Sequence, residues 1–204
     1  MRTNATRART SSAPRRASGS GSGSGSGSAS ASASGSRSAS GRGSGAPKSG
    51  GQAQRHLALS LTIQHGDGSP ECPVSRARLR RWVGAALQSD ARITLRFVGT
   101  REGRALNLAY RQKDCATNVL TFAYADASVP CAADIVICLP VVRQEARRQH
   151  KPLDQHLAHL VIHGVLHAQG FEHEDDIEAE AMEALETALL KRFRIGDPYR
   201  EREA

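Results

Sequence analysis

The chain has 204 residues and a formal net charge of +8, a length that fits one or two domains. Nine of its 28 basic residues and none of its 20 acids precede His56, so the remainder carries 19 basic against 20 acidic groups. The basic character is therefore a property of the N-terminal segment. No apolar run approaches the roughly 18 residues of a membrane span, and the N-terminus lacks the apolar stretch of a secretory signal.

Residues 17–46 are almost entirely Gly, Ser and Ala with a few Arg, between Pro14 and Pro47. Such composition buries too little apolar surface to offset the entropy of ordering. Residues 1–55 are expected to be a disordered tail, and residues 56–204 a single domain. A basic tail attracts RNA or membranes without specificity. Its Arg- and Ser-rich, acid-free composition also suits an organelle transit peptide, whereas the Gly-Ser repetition suits plain low complexity. Four cysteines (Cys72, Cys115, Cys131, Cys138) form no C-x-x-C pair and flank no histidine motif. They are expected to be reduced thiols of a cytoplasmic protein.

Residues 56–64 alternate, with Leu57, Leu59, Leu61 and Ile63 on one side, which predicts a half-buried strand. Ser75 can cap a helix carrying Leu79, Trp82, Val83, Ala86 and Leu87 as its apolar stripe and Arg76, Arg78, Arg80 and Arg81 on its solvated face. Ile93, Leu95 and Phe97 alternate in a second strand. Residues 102–111 suit a short helix with Leu106 and Tyr110 inward. A polar loop holding Arg111 and Lys113 leads to a third strand over 118–124. Arg111 is either a surface charge or a guanidinium fork for a phosphate, and spacing alone does not decide. Residues 134–139 predict a short apolar fourth strand ended by Pro140, and 141–150 a polar helix.

Asp154 is expected to cap the next helix, which carries His163 and His167 at i and i+4. Residues at that spacing stack on one face. Gly170 suits a helix end at positive φ, beyond which His173 can return as a third ligand. Three imidazoles with one open position describe a catalytic rather than a structural zinc site. His159, four before His163, reads as a neighbour supporting the site and not as a ligand. A last amphipathic helix spans 176–193 through Ile177, Ala181, Leu185, Ala188 and Leu189, with Glu178, Glu180, Glu183 and Glu186 mostly on its outer face.

The histidines match the protease pattern H-E-x-x-H-x-x-G-x-x-H except that Gly164 replaces the glutamate base. A metal can still lower the pKa of bound water to about 7, but the peptide-cleaving proton shuttle is missing.

Three separated stretches together resemble the YbeY endoribonucleases, also called rRNA maturation factors. They are His163-Gly164-Val165-Leu166-His167 with Gly170, Phe171 and His173; the run from Leu106 through Lys113 and Asp114 to Thr117–Leu120 and Phe122; and Asp134–Cys138. The acidic helix Glu178–Glu186 matches as well, so the resemblance covers roughly residues 57–199. It implies a single α/β domain with a mixed, about four-stranded sheet. It also implies one Zn2+ held by His163, His167 and His173, and a functional arginine at Arg111. The implied activity is cleavage of single-stranded RNA in small-subunit 16S rRNA 3′-end maturation and in quality control on the ribosome. Ala116 and Ala123 stand where proline is usual, and Glu172 where Asp is usual. A zinc peptidase and a ribosome-assembly factor with a structural zinc are the alternatives. Whether water or the ribose 2′-OH attacks is left open.

Overall fold

Alternation in the first predicted strand becomes β2, Leu59–His65, which pairs in parallel with β3, Ala91–Val98. The computed structural model describes residues 7–9, 57–124, 129–171 and 175–200. These belong to one compact unit comprising Met1–Ser11 and His56–Ala204. β3 pairs in parallel with β5, Cys131–Cys138, and β5 pairs antiparallel with β4, Val119–Tyr124. Those four strands make the expected mixed sheet. A three-residue strand β1, Arg7–Arg9, runs parallel to β4 and gives the order β1-β4-β5-β3-β2. This edge strand comes from the stretch read as a disordered tail; the rest of that stretch lies outside the described residues.

Period-two alternation splits the sheet into two apolar faces. On one, Ile93, Leu95, Phe97, Val119, Ile135 and Ile137 join the main core with α1, Arg76–Ala86, α4, Leu153–Ala168, and α5, Asp176–Lys191. On the other, Val98, Leu120, Phe122, Val136 and Cys138 form a smaller cluster against Leu106 of α2, Thr100–Arg111, and Val141 of α3, Leu139–Arg148. β5 is buried on both faces, which is why it reads as a continuous apolar run. It starts three residues earlier than expected because the small residues Cys131, Ala132 and Ala133 continue the ladder with β3.

Several local expectations hold. Ser75 caps α1 by accepting from the Arg78 amide, and the four cysteines are free thiols. Others are corrected. Pro152, not Asp154, occupies the N-cap of α4; Asp154 lies in the first turn and pairs with Arg78 at 2.7 Å. Tyr110 is half-exposed and meets Phe122 edge-on. Ile177 is 80% exposed, so the buried stripe of α5 runs instead through Ala179, Met182, Glu186, Leu189 and Leu190. No helix among the described residues is long and apolar enough to cross a membrane.

Candidate active site and metal centre

Helix α4 is buried along nearly its whole length, and its histidines lie inside. His156, His159, His163 and His167 form a ladder of rings, the last pair with centroids 4.5 Å apart and planes nearly perpendicular. The helix ends as the glycine predicts. Gly170 has φ +91°, its amide donates to the His167 carbonyl at 3.1 Å, and the Phe171 amide donates to Leu166 at 3.2 Å. This paired arrangement satisfies the last carbonyls and turns the chain. Gln169 ties the same end to α1, donating to the Ala86 carbonyl at 2.8 Å and accepting from the Gln88 amide at 2.7 Å.

Gly164 has a steric cause. A Cβ there would meet the Ile135 Cγ2 methyl at 2.8 Å and the Thr121 hydroxyl at 3.3 Å. Helix α4 lies directly on β4 and β5, and Thr121 donates to the Gly164 carbonyl at 3.4 Å. At the position that holds the base in the peptidases, even a Cβ would force Ile135 to shift.

Glu186 of α5 is fully buried against these histidines, which corrects its reading as an outer-face acid. Its Oε1 lies 2.6 Å from His163 Nδ1, and its Oε2 lies 2.8 Å from His159 Nε2 and also accepts from the Tyr199 hydroxyl. Burial opposes its charge, but the hydrogen bonds from His159 and His163 prevail and hold its pKa well below the usual carboxylate range. Burial and the adjacent carboxylate push the Tyr199 pKa strongly up, so the phenol stays protonated and donates. The ionised carboxylate only accepts, so a proton lies on His163 Nδ1, and in the neutral imidazole Nε2 is then left with its lone pair. That Nε2 faces His167 Nε2 at 3.2 Å. Two nitrogens bound at 2.0–2.1 Å to one tetrahedral ion stand about 3.3 Å apart, so the pair fits a shared metal.

His159, His163 and Glu186 also offer ligand atoms within 4.8 Å of one another. An ion there would replace the two hydrogen bonds that Glu186 accepts from His159 and His163. Glu186 fits better as the carboxylate that orients a ligating histidine, with His159 and Tyr199 holding it.

Of the residues expected at the site, the structure brings His163 and His167 together. His173 lies outside the described residues. Arg111 is the last residue of α2, not part of the following loop, and α2 packs on the opposite face of the sheet from α4. Half-buried, it has its pKa lowered by that burial. The loop after it is pinned by Asn107, whose side chain donates to the Cys115 carbonyl at 2.8 Å.

A family model described as endoribonuclease YbeY matches residues 71–194. The chain belongs to the YbeY endoribonuclease family. The chain is 57% identical over 147 residues to the endoribonuclease YbeY of Cupriavidus pinatubonensis, covering 71% of this chain and 73% of that one. It is 54% identical over 142 residues to that of Thiobacillus denitrificans, covering 69% and 96%. A solution structure of TM1509 from Thermotoga maritima aligns over 69% of this chain and 99% of its own, at 22% identity and a TM-score of 0.44. Membership makes the chain a hydrolytic nuclease with RNA as its substrate class, and the buried His/Glu cluster is a place where such an enzyme could hold a metal.

Proposed function

We propose that the chain is a zinc-dependent, single-strand-specific endoribonuclease of the cytoplasm. In this reading it acts on small-subunit rRNA at its 3′ end and on ribosomal particles during quality control, and His163, His167 and His173 hold the metal. The observation that carries the metal assignment is the Nε2 pair of His163 and His167 at 3.2 Å, with the other nitrogen of His163 engaged by Glu186. The rRNA assignment rests on family membership.

A bound zinc supplies a water of lowered pKa and a positive charge beside the scissile phosphate. The chain's own residues do the rest. Glu186 fixes the tautomer and ring direction of His163, and Tyr199 and His159 keep that carboxylate in place. The family resemblance makes Arg111 the functional arginine, and a guanidinium can offer two parallel N–H groups to nonbridging oxygens where charge develops as phosphorus is attacked. Residues 56–204 are the catalytic unit in this reading. A peptidase is disfavoured because no base fits at Gly164.

The test is single-turnover cleavage of labelled single-stranded RNA and of casein by wild type, His167→Ala and chelator-treated protein. RNA cleavage that is lost in both altered samples, with casein intact throughout, supports the proposal. Casein cleavage, or RNA cleavage indifferent to chelator, overturns it.

A further inference from the structure

The residues from 56 onward carry nearly balanced charge, yet one surface concavity is built largely from arginines. Arg78, Arg81 and Trp82 of α1 line it with Arg192, Phe193 and Arg194, which follow α5. The two segments are far apart in sequence and converge in space. Arg78 is offset by Asp154. Arg81, Arg192 and Arg194 are exposed and make no ion pair among the described residues. Arg192 at the end of α5 complements that helix dipole, which accounts for one positive charge there and leaves the others from α1 and the turn without such a cause.

Two of the four guanidinium groups lie on aromatic faces. Arg78 lies over the Trp82 ring at 5.1 Å and Arg81 over the Phe193 ring at 5.8 Å. The stacked Arg81 keeps its N–H edge for an anion, whereas that of Arg78 already meets Asp154. Arg194 has φ +59°, with its amide donating to Lys191 and that of Ile195 to Leu190. This is the left-handed helix-ending position that favours glycine, here given to an arginine at the rim of the concavity.

We propose that this concavity is a docking site for the phosphodiester backbone of single-stranded RNA, separate from the metal centre. The proposal rests on RNA being the substrate. Arg78 meets Asp154 in the first turn of α4, while His163 and His167 lie nine and thirteen residues further on. At 1.5 Å per residue the two sites are roughly 14 to 20 Å apart along that helix. RNA that spans both sites would gain affinity that a short oligonucleotide cannot.

The experiment measures affinity of the full chain for fluorescein-labelled single-stranded RNA of 6 and 24 nucleotides by anisotropy, at several salt concentrations. The proteins are wild type, Arg81→Glu/Arg192→Glu/Arg194→Glu, and a control with the same charge change on α3, Arg143→Glu/Arg147→Glu/Arg148→Glu. A milder Arg192→Gln/Arg194→Gln protein guards against misfolding of the triple variant, and melting temperatures check all four. The expected result is a loss of 24-mer affinity of at least tenfold in the first triple, with the 24-mer advantage over the 6-mer shrinking. Its slope of log affinity against log salt should fall by about 2, at roughly 0.7 per phosphate contact. The control should lose markedly less. An unchanged 24-mer affinity, or an equal loss in the control, overturns the docking site. Failure of the metal reading shows separately, as cleavage indifferent to chelator while 24-mer binding still depends on the patch.

Discussion

Glu186 Oε1 and His163 Nδ1 meet at 2.6 Å, joining α5 to α4 inside the core. A carboxylate so placed settles which nitrogen of His163 faces outward, and removing such a partner typically costs a site 10- to 100-fold in metal affinity. Glu186→Ala is expected to bind zinc at least tenfold more weakly in a chelator competition, with Glu186→Gln intermediate because its amide oxygen still accepts. Wild-type zinc affinity in the alanine protein would reduce Glu186 to a buried structural acid.

Gly164 sets opposing effects against each other. Alanine is favoured over glycine in a helix interior by up to about 1 kcal/mol, while overpacking a core costs about 1–3 kcal/mol. With the Ile135 methyl only 2.8 Å from the added Cβ, the steric cost should win. Gly164→Ala is expected to melt a few degrees below wild type, at about 2–4 °C per kcal/mol for a chain of this size. A higher melting temperature would mean α4 can lift from the sheet freely.

Glu145 of α3 accepts from His156 at 2.9 Å and from the Asn118 side chain at 3.1 Å, clamping the start of β4 to α4. Burial opposes its charge, but these hydrogen bonds prevail and lower its pKa. A depressed folded pKa contributes stability that is present above the unfolded value near 4.3 and lost as pH falls through the lower folded one. Glu145→Gln should therefore melt below wild type above about pH 5, with the gap closing toward pH 3. A gap that is constant with pH would remove the ionic part of the clamp.

Arg111 is expected to act on the substrate and not on the fold. Arg111→Ala should keep its zinc and its melting temperature and lose on the order of 100- to 1000-fold in cleavage at saturating RNA. Arg111→Lys should rescue little, because a lysine cannot make the paired contact. Turnover near wild type in the alanine protein would return Arg111 to a surface charge.

The sheet and helix α4 were legible because burial on one or two faces writes itself as alternation or as an apolar run. Leu59, Leu61 and Ile63 show the first kind, and Ile135–Ile137 the second. The turn at Gly170 was legible from the residue type alone. Glu186 was not, because an acid on an amphipathic helix is ordinarily solvent-facing and only the facing histidines make its burial favourable. Its signal was present in the spacing of Ala179, Met182, Glu186 and Leu189, which places the acid on the apolar stripe. Ile177 misled for the converse reason: an apolar residue in the first turn of α5 stands 80% exposed. Tyr199 lies outside any periodic element, so only the folded chain brings it to Glu186.

Zinc affinity and stoichiometry of His167→Ala and His159→Ala, set beside wild type, test the metal centre most directly, since the two proteins separate the competing clusters on α4. With His163, His167 and His173 as ligands, wild type binds one zinc per chain and His167→Ala binds little. His159→Ala still fills one site, with its affinity lowered only through Glu186. Full zinc in His167→Ala together with none in His159→Ala would move the metal to the His159, His163 and Glu186 group and contradict the account.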